Sequence, residues 1–246
     1  MRRLVTPRIP RTVIPKPRAV LFDLFHTLVT IPKAEGEFGP TAAASLGIPH
    51  AHAEFQRRMH EDDVLGRCVG RVRDHHEVMR LLAHHFDPTI SDERVADAVK
   101  WRRKRIEHGL VRVETAVLAA LDRLRAAGVR TALVSDAGWD DVECWDRSPL
   151  VERLDAAVFS FEIGIRKPDR RIYERALAAI DVDPRDALFV GDGGSDEHRG
   201  ARALGMRAVM VTRYYAYWDP GAIAERRPHA DFEFADVPAF VDAVDL

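Results

Sequence analysis

Ala19-Val20-Leu21-Phe22-Asp23 is an apolar run that stops abruptly at an acid. Thr131-Ala132-Leu133-Val134 stops in the same way at Ser135, and Ala187-Leu188-Phe189-Val190 stops at Gly191-Asp192. Ala156-Ala157-Val158-Phe159 and Arg207-Ala208-Val209-Met210-Val211 are further short runs of this kind. Continuous apolarity suits a strand covered on both faces, so these runs predict a parallel sheet. Helical patterns lie between them. Residues 114–127 carry Val117, Leu118, Leu121 and Leu124 on one stripe and close at Gly128; residues 169–180 carry Ile172, Tyr173, Ala176, Leu177 and Ile180; residues 196–204 close at Gly205. The alternation predicts an α/β fold with a doubly wound parallel sheet, in which ligands sit at the carboxyl ends of the strands.

A long stretch separates the first strand from the helix at 114. Residues 33–111 read as helical at 50–65, 72–86 and 91–108, and a stretch of that length inside a compact protein predicts a small all-helical domain. The expected division is a basic, Pro-rich leader over 1–17, a core over 18–32 and 112–246, and a helical cap over 33–111. The leader's prolines lock φ and remove donors, so it is expected to be extended or disordered.

The chain has 246 residues, 46% hydrophobic and 31% charged, with a formal net charge of −2. That balance belongs to a folded globular protein and provides no general basic field for nucleic acid or an anionic membrane. The apolar run 19–31 is interrupted by Asp23 and His26 and is too short to span a bilayer. Two cysteines, Cys68 and Cys144, make no disulfide framework, and a cytoplasmic location is expected. The run Trp101-Arg102-Arg103-Lys104-Arg105 reads as a charged helix face with Trp101 and Ile106 turned inward. His75-His76 and His84-His85 lack zinc spacing and read as packing or surface residues. Tyr214 to Trp218 form an aromatic cluster after the last core strand, expected to pack against a C-terminal helix.

The strand ends carry the chemistry. Asp23, Ser135 and Asp192 each follow a strand, and Lys167 precedes a helix in Gly164-Ile165-Arg166-Lys167-Pro168-Asp169. A carboxylate, a hydroxyl, an ammonium and an acidic cluster in one crevice suit nucleophilic attack on an anionic centre, with a metal ion to offset like-charge repulsion.

Four motifs in order resemble the haloacid dehalogenase superfamily: Phe22-Asp23-Leu24-Phe25-His26-Thr27-Leu28, Leu133-Val134-Ser135-Asp136, Lys167-Pro168-Asp169, and Val190-Gly191-Asp192-Gly193-Gly194-Ser195-Asp196-Glu197. The resemblance covers roughly 18–32 and 112–212, and the helical stretch after the first motif looks like that family's C1-type cap. It implies a phosphomonoester phosphatase working through an aspartyl-phosphate on Asp23. The Phe25 backbone carbonyl, Asp23 and Asp192 would hold Mg²⁺, together with Asp196 or Glu197, which cover both spacings used for the second acid. Thr27, Ser135, Asp136 and Lys167 would orient the nucleophile or bind the phosphoryl group. Arg67 and Arg71, on a bend marked by Gly66 and Gly70, would meet a small phosphorylated substrate. A monomer or homodimer is expected.

One departure stands out. The family's phosphatases place an acid two residues after the nucleophile, and this chain has Phe25 there. Loss of a general acid lowers a rate by about 10²–10⁴-fold. A replacement proton would come from the cap, the substrate or the adjacent His26, which titrates near neutrality in its ordinary state, although a packed or solvent-facing histidine is the commoner case at such a position. Two alternatives follow: carbon–halogen hydrolysis, which needs no acid, and a catalytically weakened phosphate-binding protein. The dehalogenase branch is metal-free, so the acidic fourth motif favours the phosphatase.

Overall fold

The structure is a computed structural model that describes residues 13–246 apart from Asp62 and Val64; most of the expected leader, residues 1–12, lies outside the described residues. In chain order the strands are β1 (Ile14–Pro15), β2 (Ala19–Phe22), β3 (Arg130–Ser135), β4 (Ala156–Phe159), β5 (Ala187–Gly191), β6 (Arg207–Val211), β7 (Phe232–Phe234) and β8 (Val244–Asp245). The helices are α1 (Ala42–Ser45), α2 (His52–Gln56), α3 (His75–Phe86), α4 (Asp92–Val111), α5 (Thr115–Ala126), α6 (Trp139–Val142), α7 (Ser160–Ile163), α8 (Arg170–Ile180), α9 (Glu197–Ala203), α10 (Arg213–Trp218), α11 (Pro220–Arg226) and α12 (Val237–Ala243).

Strands β4-β3-β2-β5-β6-β7 form one parallel sheet in that order. The chain moves outward through β3 and β4 on one side of β2, then through β5, β6 and β7 on the other. The order reverses between β2 and β5, where an open α/β sheet leaves its crevice. Phe22 is in register with both Leu133 and Val190, so the three strands that carry Asp23, Ser135 and Asp192 end at one level.

Both faces are covered, as continuous apolarity requires. Val20, Phe22, Leu133 and Val190 pack with Val117, Leu121 and Leu124 of α5 and Phe240 of α12. Leu21, Ala132, Val134 and Phe189 point the other way, onto Ile172, Tyr173, Ala176 and Leu177 of α8. The stretch between β2 and α5 buries a third core of its own, including Leu46, Phe55, Met59, Met79, Leu82 and Val99.

Several local expectations are revised. The expected helix 50–65 is broken: α2 continues only as a π-helical turn over Arg57–Glu61, and a 3₁₀ turn follows at Arg67–Val69. Gly66 and Gly70, at φ 62 and 76, flank that turn in the left-handed conformation a helix cannot continue through. Helix α3 starts at His75, because Asp74 caps it by accepting from Glu77 N–H. Within the expected leader, Ile14–Pro15 pairs in parallel with Val244–Asp245, and Ile14 is fully buried. The charged face of α4 is not solvated throughout: Arg102 and Arg105 are buried, and Arg105 donates to the carbonyls of Phe38 and Pro40 at 2.9 Å. No helix among the described residues is long and apolar enough to cross a membrane.

Candidate active site

Asp23 leaves the end of β2, and its N–H reaches Val190 O on the neighbouring strand at 2.9 Å. Thr27, one turn later, donates from Oγ1 to Asp23 Oδ2 at 3.1 Å. Lys167 arrives from the loop before α8 and places Nζ 2.6 Å from Asp23 Oδ1 and 2.6 Å from Glu197 Oε2. Glu197 opens α9 and accepts on Oε1 from Gly193 N–H at 2.8 Å. A Cβ on Gly191 would stand 2.0 Å from that same oxygen, so the glycine before Asp192 is what lets Glu197 fold back into the site. Asp192 accepts from Gly194 N–H at 2.7 Å. Carboxylate oxygens of Asp23, Asp192 and Glu197 lie within 4.8 Å of one another, and all three residues are buried.

Three carboxylates at this spacing oppose ionisation. Burial pushes Asp23 up to about 6 against the pull of Lys167. Burial and then the Asp23 charge raise Asp192 to about 6, and burial raises Glu197 to about 7 against Lys167. Lys167 is held charged, because its two carboxylate partners outweigh its own burial. A site of clustered hard oxygen donors with too little positive charge suits a small divalent cation such as Mg²⁺. On the β3 side, Ser135 is fully buried and its Oγ has no hydrogen-bond partner among the described residues. An orphaned hydroxyl at the end of the strand next to the one that carries Asp23 fits an anionic oxygen as its partner.

A family model for haloacid dehalogenase-like hydrolases matches residues 17–205. The chain belongs to that family. Among curated relatives of this haloacid dehalogenase-like hydrolase, a phosphoserine phosphatase of Thermus thermophilus is 41% identical over 78 residues, 32% of this chain and 31% of that protein. A glyceraldehyde 3-phosphate phosphatase of Pyrococcus abyssi is 26% identical over 215 residues, 78% of this chain and 80% of the relative. The first two curated relatives are thus matched over only 31% and 50% of their own lengths. Among solved structures, L-2-haloacid dehalogenase from Xanthobacter autotrophicus superposes with a TM-score of 0.60 at 18% identity, covering 92% of this chain and 97% of that one. A family enzyme of Bacteroides thetaiotaomicron, in complex with magnesium and inorganic phosphate, gives 0.58 at 17% identity, covering 79% and 94%. These superpositions show the shared fold.

Not every expected site residue of this haloacid dehalogenase-like hydrolase is in the cluster. Asp196 is exposed, sits at φ 51 and faces Arg199 at 3.8 Å, so Glu197 alone supplies the third carboxylate. Asp136 turns its carboxylate to the loop before α8, accepting from Lys167 N–H at 2.9 Å and from Arg166 Nε at 3.3 Å, and so does not present itself as a phosphate ligand. Arg67 is 2% exposed and held by Asp140 and Asp141, while Arg71 is exposed on the bend. The Phe25 ring packs on the sheet core. The bonds that close its turn run to Leu24 O and Val29 O and do not take the Phe25 carbonyl. His26 stacks on Tyr214 at 3.7 Å, and burial, helped by the Arg226 charge, pushes it down to about 4. It is therefore neutral near pH 7 and does not fill the role of a proton donor. The histidine pairs form no metal cluster among the described residues; His75 instead bonds Glu143 at 2.8 Å.

Sequence reasoning missed Arg226. It comes from α11, donates to Asp192 O at 3.3 Å, lies 3.8 Å from Asp192 Oδ1 and rests 4.1 Å above the Tyr215 ring. Its stem packs over Gly193, where a Cβ would stand 3.0 Å away. No local motif marks it, because the contact spans 34 residues of chain. Asp140 and Asp141 also escaped notice, since an acidic pair at the start of a short helix normally reads as a solvated first turn.

Proposed function

We propose that the protein is a Mg²⁺-dependent phosphomonoester hydrolase acting on a small phosphorylated substrate through an aspartyl-phosphate on Asp23. The observation that carries this reading is the buried triangle of Asp23, Asp192 and Glu197, with Lys167 bridging Asp23 and Glu197 and the orphaned Ser135 hydroxyl at the end of the neighbouring strand. A metal-free carbon–halogen hydrolase has no use for three buried carboxylates whose mutual repulsion must be countered. The phosphatase names of the relatives support the same class.

In this reading Asp23, Asp192, Glu197 and the Phe25 carbonyl would hold the ion. When bound, Mg²⁺ screens the carboxylates from the incoming phosphate dianion and draws charge from its oxygens. Lys167 and Thr27 each hold one oxygen of Asp23, which aims the carboxylate at phosphorus. Attack forms the Asp23–phosphorus bond as the ester oxygen leaves. Ser135 Oγ and Lys167 stabilise the phosphoryl oxygens as charge shifts onto them. Water then cleaves the aspartyl-phosphate, releasing phosphate and restoring the Asp23 carboxylate. Phe25 has no proton to give, so the alkoxide leaves unassisted from that position and activated esters are favoured. The stretch 33–111 serves as the cap over a core of 18–32 and 112–246, excluding water until the phosphoenzyme forms. A cytoplasmic location fits the two unpaired thiols, Cys68 and Cys144.

The test is turnover of p-nitrophenyl phosphate with and without Mg²⁺. Activity that needs the ion and is lost in Asp23→Asn is expected. Chloride release from 2-chloropropionate without metal would overturn the reading in favour of dehalogenation.

A further inference from the structure

Three arginines of the helical stretch, Arg67, Arg102 and Arg103, converge on one short helix of the sheet domain and the residue after it. Arg67 Nη1 lies 3.1 Å from Asp140 Oδ1 and also bonds Asp141. Arg102, from the middle of α4, lies 2.7 Å from Asp140 Oδ2, and its second terminal nitrogen bonds Asp141. All four residues are buried. At the edge of this quartet, Arg103 and His75 both reach Glu143 at 2.8 Å. Every acid here belongs to α6 or the residue after it, and every base belongs to the helical stretch.

That short helix follows directly on the strand end that carries Ser135. Asp141, besides taking both arginines, accepts from Gly138 N–H at 3.0 Å and so closes the turn after Ser135. A Cβ on Gly138 would meet Arg67 at 2.6 Å and Asp140 at 2.4 Å, so the turn is shaped to admit the guanidinium. Ala137 N–H is held by Ser160 Oγ at 3.0 Å. Asp136 holds the Lys167 N–H, and Arg166 beside it donates to His60 O at 3.2 Å. Arg67 in turn donates to Met59 O at 3.1 Å. Hydrogen bonds at both ends of the short backbone segment 136–141 therefore tie the helical stretch at Asp140 and Asp141 to Lys167 at Asp136.

Four charges buried together contribute little net stability, because desolvation offsets much of their attraction. What they supply is geometry: two guanidinium forks against two carboxylates fit in a single register. With the helical stretch undocked, Asp140 and Asp141 would face each other as adjacent like charges at the root of the Ser135 turn. We infer that Arg67 and Arg102 are positioning residues, whose docking on Asp140 and Asp141 holds the 135–141 turn and, through Asp136, the Lys167 backbone in the geometry that presents Ser135 Oγ and Lys167 Nζ. The kinetic part of this inference rests on the phosphatase reading; the structural part does not.

The test compares full-length wild type with Arg67→Met and Arg67→Lys. Hydrogen exchange is followed in peptides covering 133–143 and 164–169, and turnover of acetyl phosphate is measured, a substrate with little beyond its phosphoryl group for the helical stretch to touch. In Arg67→Met, both peptides are expected to exchange about tenfold faster while β5 and α8 are unchanged. On acetyl phosphate kcat falls about tenfold or more with KM nearly constant, and Arg67→Lys, which keeps the charge but loses the fork, lies between. Unchanged exchange in both peptides overturns the inference. So does a rise in KM confined to bulky substrates, which would make Arg67 a substrate ligand, or faster exchange spread evenly over the chain, which would make it a general stability residue. Should Arg67→Met not fold, Arg67→Lys decides by the same measurements. If wild type hydrolyses no phosphate ester, the phosphatase reading fails and the exchange comparison still judges the positioning role.

Discussion

Glu197→Gln tests the electrostatics of the site through the way its effect on stability changes with pH. Glu197 is almost wholly buried, and burial lifts it from the ordinary 4.5 to about 7. Between those values the folded state holds a proton that the unfolded chain has released. Its contribution to stability is therefore full below about pH 4.5 and is lost as pH rises through about 7. At pH 8 the ionised carboxylate costs on the order of 1–3 kcal/mol, since a tenfold change in proton affinity is worth about 1.4 kcal/mol and the charge is shared with Asp192 and Lys167. Glutamine removes the charge but keeps only one oxygen, so it can take Gly193 N–H or Lys167 and sets its NH2 against the other donor, a cost that does not vary with pH. In the absence of metal, the Tm of Glu197→Gln relative to wild type is expected to be several degrees higher at pH 8 than at pH 5, at about 2–4 °C per kcal/mol for a chain of this size. Added Mg²⁺ should stabilise wild type in proportion to its occupancy and the variant far less. Thermal denaturation followed by circular dichroism at both pH values, with EDTA and with millimolar Mg²⁺, reads all of these. A Tm difference from wild type that does not rise between pH 5 and pH 8, or an undiminished Mg²⁺ response, would refute the reasoning.

Phe25→Asp restores a carboxyl two residues after the nucleophile and should raise turnover of alkyl phosphates more than that of p-nitrophenyl phosphate; equal effects would contradict a missing acid. Asp23→Asn should keep its Tm to within a few degrees while phosphatase turnover falls below detection, read by thermal denaturation and phosphate release. His26 holds a left-handed backbone at φ 67 and stacks on Tyr214, so His26→Gly, which relieves the strain, should cost about 1 kcal/mol less in urea denaturation than His26→Ala, which loses the stack and keeps the strain. Because His26 is pushed from 6.5 down to about 4, the unfolded state binds its proton first, and wild type should lose stability relative to His26→Phe as pH falls from 6.5 to 4, by about 1–2 kcal/mol. A pH-independent difference in urea midpoints would count against a buried neutral imidazole.

The local code was sufficient for the sheet and for the residues at its strand ends. Runs such as Ala19–Phe22 and Ala187–Val190 are apolar throughout because both their faces are covered, and that requirement is written into consecutive residues. Asp23, Ser135 and Asp192 are polar residues at the ends of such runs, and the parallel register brings those ends to one level. The choice between Asp196 and Glu197 was not legible. It depends on a left-handed turn through Ser195 and Asp196, at φ 53 and 51, that turns one acid outward and the next inward. Arg67 read as a substrate-facing arginine because its partners, Asp140 and Asp141, lie 73 and 74 residues away. His26 read as titrating near neutrality because its neighbour Tyr214 belongs to a helix on the far side of the chain. Sequence alone determined which groups stand at the sheet edge, since periodicity and strand termination are short-range. Only the tertiary structure decided which charges neutralise one another, because Coulomb and desolvation energies depend on distances and burial that no local pattern specifies.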